Sequence, residues 1–247
     1  MKQACGCAAM LLLAGSAAAD CPGAALDQQI GELARAQGTQ IAETIDRIDG
    51  EGRQLLALRS YLRASSSVAA RWSWTEDQIE TYRQSAEYEA LLAEIERIRT
   101  RFEADNPGYQ LYANTQVRSL DIQIERWNGN ATVGRVAEDL QQKACLKLAA
   151  SRSHQGSLRD FLNAWIPEEP PPLAAPGLSQ HGRARAIDFQ VHQGNKVIAG
   201  ADTQDIQDAW IAKGWARKLA AAIKSTSTKF VGPLKMPNEP WHFEYRP

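Results

Sequence analysis

The 247-residue sequence has little net charge, few cysteines and no long apolar run. Its 28 Lys and Arg residues are balanced by 29 Asp and Glu residues, so there is no general basic surface for nucleic acid. No segment approaches the ~20 apolar residues that a transmembrane helix requires. With 44% hydrophobic and 23% charged residues, the composition is that of a globular protein and argues against wholesale disorder.

Several common catalytic motifs are also missing. The sequence contains no Gly-x-Ser-x-Gly elbow, no phosphate-binding loop and no Gly-x-Gly-x-x-Gly after a strand. Any chemistry must therefore come from another set of residues.

The first 19 residues have the pattern of a signal peptide. Lys2 provides a short positive region, residues 7–14 are apolar, and alanines at 17–19 provide the small residues that a signal peptidase needs. We therefore expect an exported protein, periplasmic or secreted, that begins near Asp20.

Two of the four cysteines, Cys5 and Cys7, lie in the expected signal peptide, which leaves Cys21 and Cys145. An oxidising compartment permits a disulfide between these two, which would tie the N-terminus to the later half of the chain. The alternative is two unrelated buried thiols, because a sequence does not give the distance between Cα atoms.

Residues 20–107 have the pattern of two long helices. Apolar residues recur at three- and four-residue steps, and the second helix begins with a capping box of Thr75 and Gln78. We expect an antiparallel helical hairpin of coiled-coil type. It is either a packing element or dimer seam, or a docking surface for another envelope protein. The apolar stripes consist of Ile30, Leu33, Ile41, Ile45, Ile48, Leu55, Leu58 and Leu62 in the first helix, and Tyr88, Leu91, Ile95, Ile98 and Phe102 in the second.

The second half of the chain contains all four histidines and is expected to carry the chemistry. Residues 187–191 alternate between apolar and polar, which is typical of a strand with Asp188 on one face. Residues 239–245 alternate in the same way and place His242 on one face. His181 precedes the first of these strands, in a loop. We expect an α+β fold in which helices pack on a small antiparallel sheet.

His181, Asp188 and His242 are a chemically suitable set of metal ligands. Two imidazoles and one carboxylate leave the fourth tetrahedral position of Zn²⁺ to water, which distinguishes a catalytic zinc site from a structural one. Each residue alone is a weak indication, so the prediction depends on their combination.

The spacing of these residues resembles a known family. A Ser179-Gln180-His181 segment, an aspartate seven residues after the histidine, and a Glu-Pro-Trp-His segment near the C-terminus are similar to the D-Ala-D-Ala carboxypeptidases of the VanY type. These belong to the wider group of zinc peptidases that includes lysostaphin-like enzymes and the hedgehog fold. Arg152, within Ser-Arg-Ser, matches the Arg-Ser segment of the family. The resemblance extends roughly from Leu146 to the C-terminus and leaves the N-terminal helices outside.

The resemblance implies a zinc site and a catalytic carboxylate. His181, Asp188 and His242 would be the zinc ligands, and Glu239 would be the catalytic acid/base. A zinc ion lowers the pKa of its bound water towards ~7, and a nearby carboxylate must then accept the proton and pass it to the leaving amine.

The resemblance also implies contacts with the substrate. Arg152 would meet the substrate carbonyl and stabilise the oxyanion that forms there, and Ser179 would contact the substrate. Ala184 stands where the family usually has glycine.

The expected function is that of an exported zinc-dependent D,D-carboxypeptidase, which removes the terminal D-Ala of peptidoglycan stem peptides. An L,D-carboxypeptidase or a peptidoglycan endopeptidase could use the same site. A non-catalytic envelope adaptor that acts through the helical hairpin is a further alternative. The expected organisation is a signal peptide at 1–19, a helical hairpin at 20–107 and a zinc peptidase domain at 108–247.

Overall fold

The computed structural model describes residues 23–150 and 155–247. Within them the protein is α+β, as expected, with ten α-helices and a five-stranded antiparallel sheet. The expected signal peptide, Cys21 and Arg152 lie outside the described residues. The helices are α1 (Gly23–Gln37), α2 (Thr39–Ile45), α3 (Glu51–Ala64), α4 (Val68–Arg71), α5 (Glu76–Arg83), α6 (Ala86–Asp105), α7 (Leu120–Gly129), α8 (Ala131–Ala150), α9 (Gln155–Ala164) and α10 (Trp215–Thr226). The strands are β1 (Gln110–Asn114), β2 (Ala186–Gln193), β3 (Lys196–Ala199), β4 (Phe230–Val231) and β5 (His242–Tyr245), and short 3₁₀-helices span Ser65–Ser67 and Gln180–Arg183.

Strand β2 lies at the centre of the sheet. The strand order is β1-β2-β5-β4, and β3 also pairs with β2. Ile187, Phe189 and Val191 are buried on one face of β2, which confirms the alternation seen in the sequence. Asp188 lies on the other face and pairs in register with His242 of β5.

The second predicted strand is shorter than expected. β5 begins at His242, whereas Glu239 lies in the preceding loop and forms an isolated bridge with Leu234. Pro240 lacks the N–H that a regular ladder uses, which accounts for the strand starting only after it.

The apolar residues form two clusters. The first cluster is built mainly from α1, α2, α3, α8 and α9, and it includes Leu56 and Trp127. The second cluster lies between the sheet and helices α5, α6 and α10, and it includes Phe102, Phe189 and Phe243.

The structure does not confirm the expected helical hairpin of residues 20–107. Helix α3 packs against α1, α8 and α9, whereas α6 packs against α10 and β1. The two apolar stripes therefore lie in different clusters. A stripe shows that one helix face is buried but does not identify what covers it. Each cluster draws residues from both sides of residue 107, so the boundary expected there is not a boundary between hydrophobic cores.

Cys145 of α8 is buried and disulfide-bonded. This rules out a free thiol at Cys145, while Cys21 lies outside the described residues. Among the helices of residues 23–150 and 155–247, none has the length and apolar character needed to span a membrane.

Candidate metal centre

Asp188 and His242 are brought together by the register of the sheet. They are direct partners on the antiparallel strands β2 and β5, so their side chains project from the same face. Nδ1 of His242 lies 3.0 Å from Oδ1 of Asp188. The pairing of two strands thus places an imidazole and a carboxylate side by side, although 54 residues separate them.

His181 reaches the same carboxylate from a loop. It lies in the 3₁₀-helix Gln180–Arg183, and its Nε2 is 3.3 Å from Oδ2 of Asp188. Ala184 adopts the left-handed conformation (φ 52°) directly after this helix, and the chain then enters β2. The turn at Ala184 thus directs the chain from the loop into the strand that carries Asp188.

The three side chains have the spacing of a metal-ligand set. Among the described residues, one ligand atom from each of His181, Asp188 and His242 lies within 4.8 Å of the other two. Two donors on one tetrahedral zinc ion, each about 2.0–2.2 Å from it, are about 3.3–3.6 Å apart. The two histidine nitrogens lie 3.0 and 3.3 Å from different oxygens of Asp188, at or just below the lower end of this range. The three side chains could therefore hold a metal ion.

The electrostatics of the site suit metal binding. Burial lowers the pKa of His181 and so favours the neutral imidazole, which is the form that binds a metal. Burial by itself would raise the pKa of Asp188, but hydrogen bonds with His181 and His242 outweigh it and hold this pKa below its usual value. Asp188 is therefore an anion in this environment, as a ligand carboxylate must be.

Glu239 lies beside the ligand set. Its Oε2 is 3.6 Å from Nδ1 of His242, and its backbone N–H donates to the carbonyl of Leu234. Burial raises the pKa of Glu239, and the negative charge of Asp188 raises it further, against the lowering effect of His242 and Arg118. The structure places Glu239 on a loop, whereas the alternating sequence predicts it on the strand.

Arg118 is a residue of the site that sequence reasoning missed. It lies between β1 and α7, and its Nη2 is 3.4 Å from Oδ2 of Asp188. Its backbone N–H donates to the carbonyl of His181 at 3.1 Å.

Arg118 begins an Arg-Ser pair in the sequence, but this pair also occurs elsewhere and so does not single out Arg118. The chain has three Arg-Ser pairs upstream of His181, which begin at Arg59, Arg118 and Arg152. The structure brings the second of these to the carboxylate, whereas Arg59 donates to the carbonyl of Trp165, in the first cluster. Arg152 lies outside the described residues.

The ligand set forms part of a cleft of about 560 Å³. Ser179 also lines this cleft. One part of the wall comes from residues 171–174 of the Pro-rich segment, which spans residues 167–176, and another from the loop that carries Glu239. Three arginines line the cleft as well: Arg71, Arg118 and Arg126.

No protein family, curated protein or solved structure matches this chain in sequence or structure searches.

Proposed function

We propose that the protein is a zinc-dependent D,D-carboxypeptidase that removes the terminal D-Ala of peptidoglycan stem peptides. The observation that carries this proposal is the convergence of His181, Asp188 and His242 on one point, with the unligated carboxylate of Glu239 beside them. The resemblance of the same residues to the VanY-type carboxypeptidases supports the choice of metal and substrate.

A bound zinc ion would supply a water molecule of lowered pKa and a positive charge for the developing oxyanion. The other requirements fall on side chains of this chain. Glu239 lies beside the ligand set, and its role would be to accept the proton of such a water and deliver it to the leaving amine.

Arg118 can supply the fixed cation that the resemblance assigns to Arg152. Its guanidinium group borders the cleft beside Asp188 and Glu239, where it can donate to the oxygen of a substrate carbonyl. Helix α7 follows directly after this residue and is packed into the first cluster, which gives Arg118 a fixed position.

The arginines of the cleft favour a carboxypeptidase over an endopeptidase. Within the described residues, neither Arg71 nor Arg126 pairs with a carboxylate, although both line the cleft with Arg118. The substrate of a carboxypeptidase has a free α-carboxylate next to the bond that is cut, and a cationic wall attracts this charge. A bond between two residues linked only through their α-amino and α-carboxyl groups has no such charge.

Export remains a prediction that the disulfide supports. Cys145 is disulfide-bonded, and such bonds persist in the periplasm or outside the cell rather than in a reducing cytosol.

The test is a digest of purified muropeptides with the wild-type protein and with Glu239→Gln. We expect both proteins to hold one zinc ion per chain by elemental analysis. Without its acid/base, Glu239→Gln should hydrolyse at a rate about 10²- to 10⁴-fold lower. Glu80→Gln, an exposed change on α5, is the charge-matched control and should retain the wild-type rate.

Mass spectrometry of the digest identifies the bond. Release of D-Ala from a pentapeptide stem supports the D,D-carboxypeptidase, whereas cleavage of a cross-link or release of a residue from a tetrapeptide would replace it with one of the alternatives. Full activity of Glu239→Gln, or activity that survives removal of the metal by a chelator, would overturn the assignment.

A further inference from the structure

The stretches of chain that bond to the His181 loop, residues 180–183, are joined to one another by one buried side chain, that of Gln123. Gln123 lies on α7, is only 8% exposed and borders the cleft. An amide buried to this degree must satisfy its hydrogen-bonding groups within the protein.

Gln123 uses both ends of its amide. Its Nε2 donates to Oγ of Ser73 and to the carbonyl of Arg118, each at 2.7 Å, and its Oε1 accepts from the N–H of Gly177 at 3.1 Å. These three partners belong to three separate stretches of chain. One amide therefore joins helix α7 to the segment at residues 72–74, to the loop before α7 and to Gly177, which directly follows the Pro-rich segment.

Two of these stretches donate backbone hydrogen bonds to the His181 loop, and the third, at Gly177, accepts one from Ser73. The N–H of Arg118 donates to the carbonyl of His181 at 3.1 Å, and the N–H of Trp74 donates to the carbonyl of Gly182 at 2.9 Å. The N–H of Ser73 donates to the carbonyl of Gly177, also at 2.9 Å. Two backbone hydrogen bonds thus hold the His181 loop, and both come from stretches that Gln123 connects.

Gly182 shows how closely the loop is packed on this amide. A Cβ atom added at Gly182 would lie 2.0 Å from Oγ of Ser73 and 2.6 Å from Nε2 of Gln123. The residue next to the ligand His181 therefore rests directly on the bonded pair of Ser73 and Gln123, with no room for a side chain.

We propose that Gln123 is a positioning residue for the candidate metal centre, because its buried amide holds the His181 loop at the distance that Asp188 and His242 require. The sheet fixes Asp188 and His242 relative to each other, but it does not fix His181. The helical part of the protein supplies that third position through residues 72–74 and α7. The inference rests on the proposed zinc site, and it concerns how that site is assembled rather than which bond is cut.

The test compares Gln123→Met with Gln54→Met. Methionine has nearly the shape of glutamine but cannot make its hydrogen bonds. Gln54 is a matched control: its Nε2 also donates to two groups inside the protein, the carbonyls of Ile45 and Ile48, but Gln54 does not line the cleft. Zinc affinity is measured at low temperature by competition with a chromogenic chelator, after circular dichroism has shown that each variant is folded.

We expect Gln123→Met to bind zinc about 10- to 100-fold more weakly, the range seen when groups that orient metal ligands are removed. Gln54→Met should lower the unfolding temperature but leave the affinity unchanged. Equal affinities for all three proteins, or an equal loss in both variants, would overturn the inference. If Gln123→Met does not fold, Ser73→Ala removes one of the bonds and should weaken binding by a smaller factor, and unchanged affinity there would overturn the inference as well.

Hydrogen exchange of the metal-free protein separates this inference from the proposed function. In Gln123→Met, or Ser73→Ala, we expect faster exchange of the N–H groups of Arg118 and Trp74, which bond to the His181 loop. Faster exchange in a protein that binds no zinc would refute the metal centre and leave the loop attachment supported. If the wild type binds zinc and the variants show neither faster exchange nor weaker zinc binding than the wild type, the role of Gln123 in holding the His181 loop is refuted. The metal centre itself is then unaffected.

Discussion

The sheet and the helical part of the protein contribute to the candidate site in different ways. Asp188 and His242 are placed by strand register, which a short alternating pattern in the sequence already indicates. His181 is placed by a loop that packs on Ser73 and Gln123, and no periodic pattern accompanies that packing. The comparison teaches that two ligands of one site can follow from local sequence, while the third depends on tertiary contacts.

The largest effect is expected from removing a ligand that the sheet places. His242→Ala should weaken zinc binding by more than about 100-fold, which is beyond the loss expected for a supporting residue. His192→Ala is the matched control, because His192 lies on β2 and does not line the cleft. Zinc content after dialysis distinguishes the two variants. Retention of wild-type zinc content by His242→Ala would exclude this residue as a ligand.

A large-to-small substitution in each cluster should lower stability in both cases but affect zinc affinity to different extents. Leu56→Ala in the first cluster should lower the free energy of unfolding by about 2–5 kcal/mol, and Phe243→Ala in the second by about 3–5 kcal/mol. Phe243→Ala should weaken zinc binding more than Leu56→Ala does, because Phe243 follows the candidate ligand His242 on β5. Urea unfolding and zinc titration of the folded variants provide the two measurements. Equal zinc affinities in the two variants would contradict the contrast between the clusters.

The smallest effect is expected at the turn between the His181 loop and β2. Ala184 has φ 52°, and the left-handed conformation costs an L-residue about 1–2 kcal/mol. Ala184→Gly relieves this strain but loses a buried methyl group and adds about 0.5–1 kcal/mol of chain entropy to the unfolded state. We expect a net change in the free energy of unfolding of less than about 1 kcal/mol. Ala184→Val should be clearly destabilising in the same urea experiment, since a β-branched residue fits this conformation poorly.

The strands were the most predictable part of the fold. Alternation around Asp188 identified β2 because one face of this strand is buried and the other is not. At β5 the alternating pattern predicts a strand that already includes Glu239, whereas in the structure Glu239 lies in a loop and β5 begins at His242. Alternation describes faces but does not say where a ladder of hydrogen bonds begins.

The helices were predictable individually but not in their packing. The stripe that contains Phe102 marks a buried face of α6, yet this face packs in the second cluster, with α10 and β1. An apolar stripe contains no information about its partner, so the expected hairpin was the simplest arrangement of neighbouring helices rather than a consequence of their sequences.

Arg118 and Gln123 could not have been identified from local sequence. An arginine in a loop and a glutamine in a helix are both usually exposed, and neither has a periodic partner. Their importance arises from burial and from contacts with residues 50 or more positions away in the chain, such as Asp188 and Ser73.

The Pro-rich segment has a consequence for the size of what the cleft can admit. Its carbonyl at Pro176 accepts a 2.7 Å hydrogen bond from the hydroxyl of Tyr61, and burial raises the pKa of Tyr61 so far that this hydroxyl stays protonated. This hydrogen bond connects one side of the cleft to the first cluster. Another side is formed by residues 234–237, which precede β5 and therefore the second cluster. The opening for a ligand is consequently bordered by parts of the chain that pack in two different apolar clusters. A slight separation of those clusters would widen it, while Asp188 and His242 would stay paired on β2 and β5.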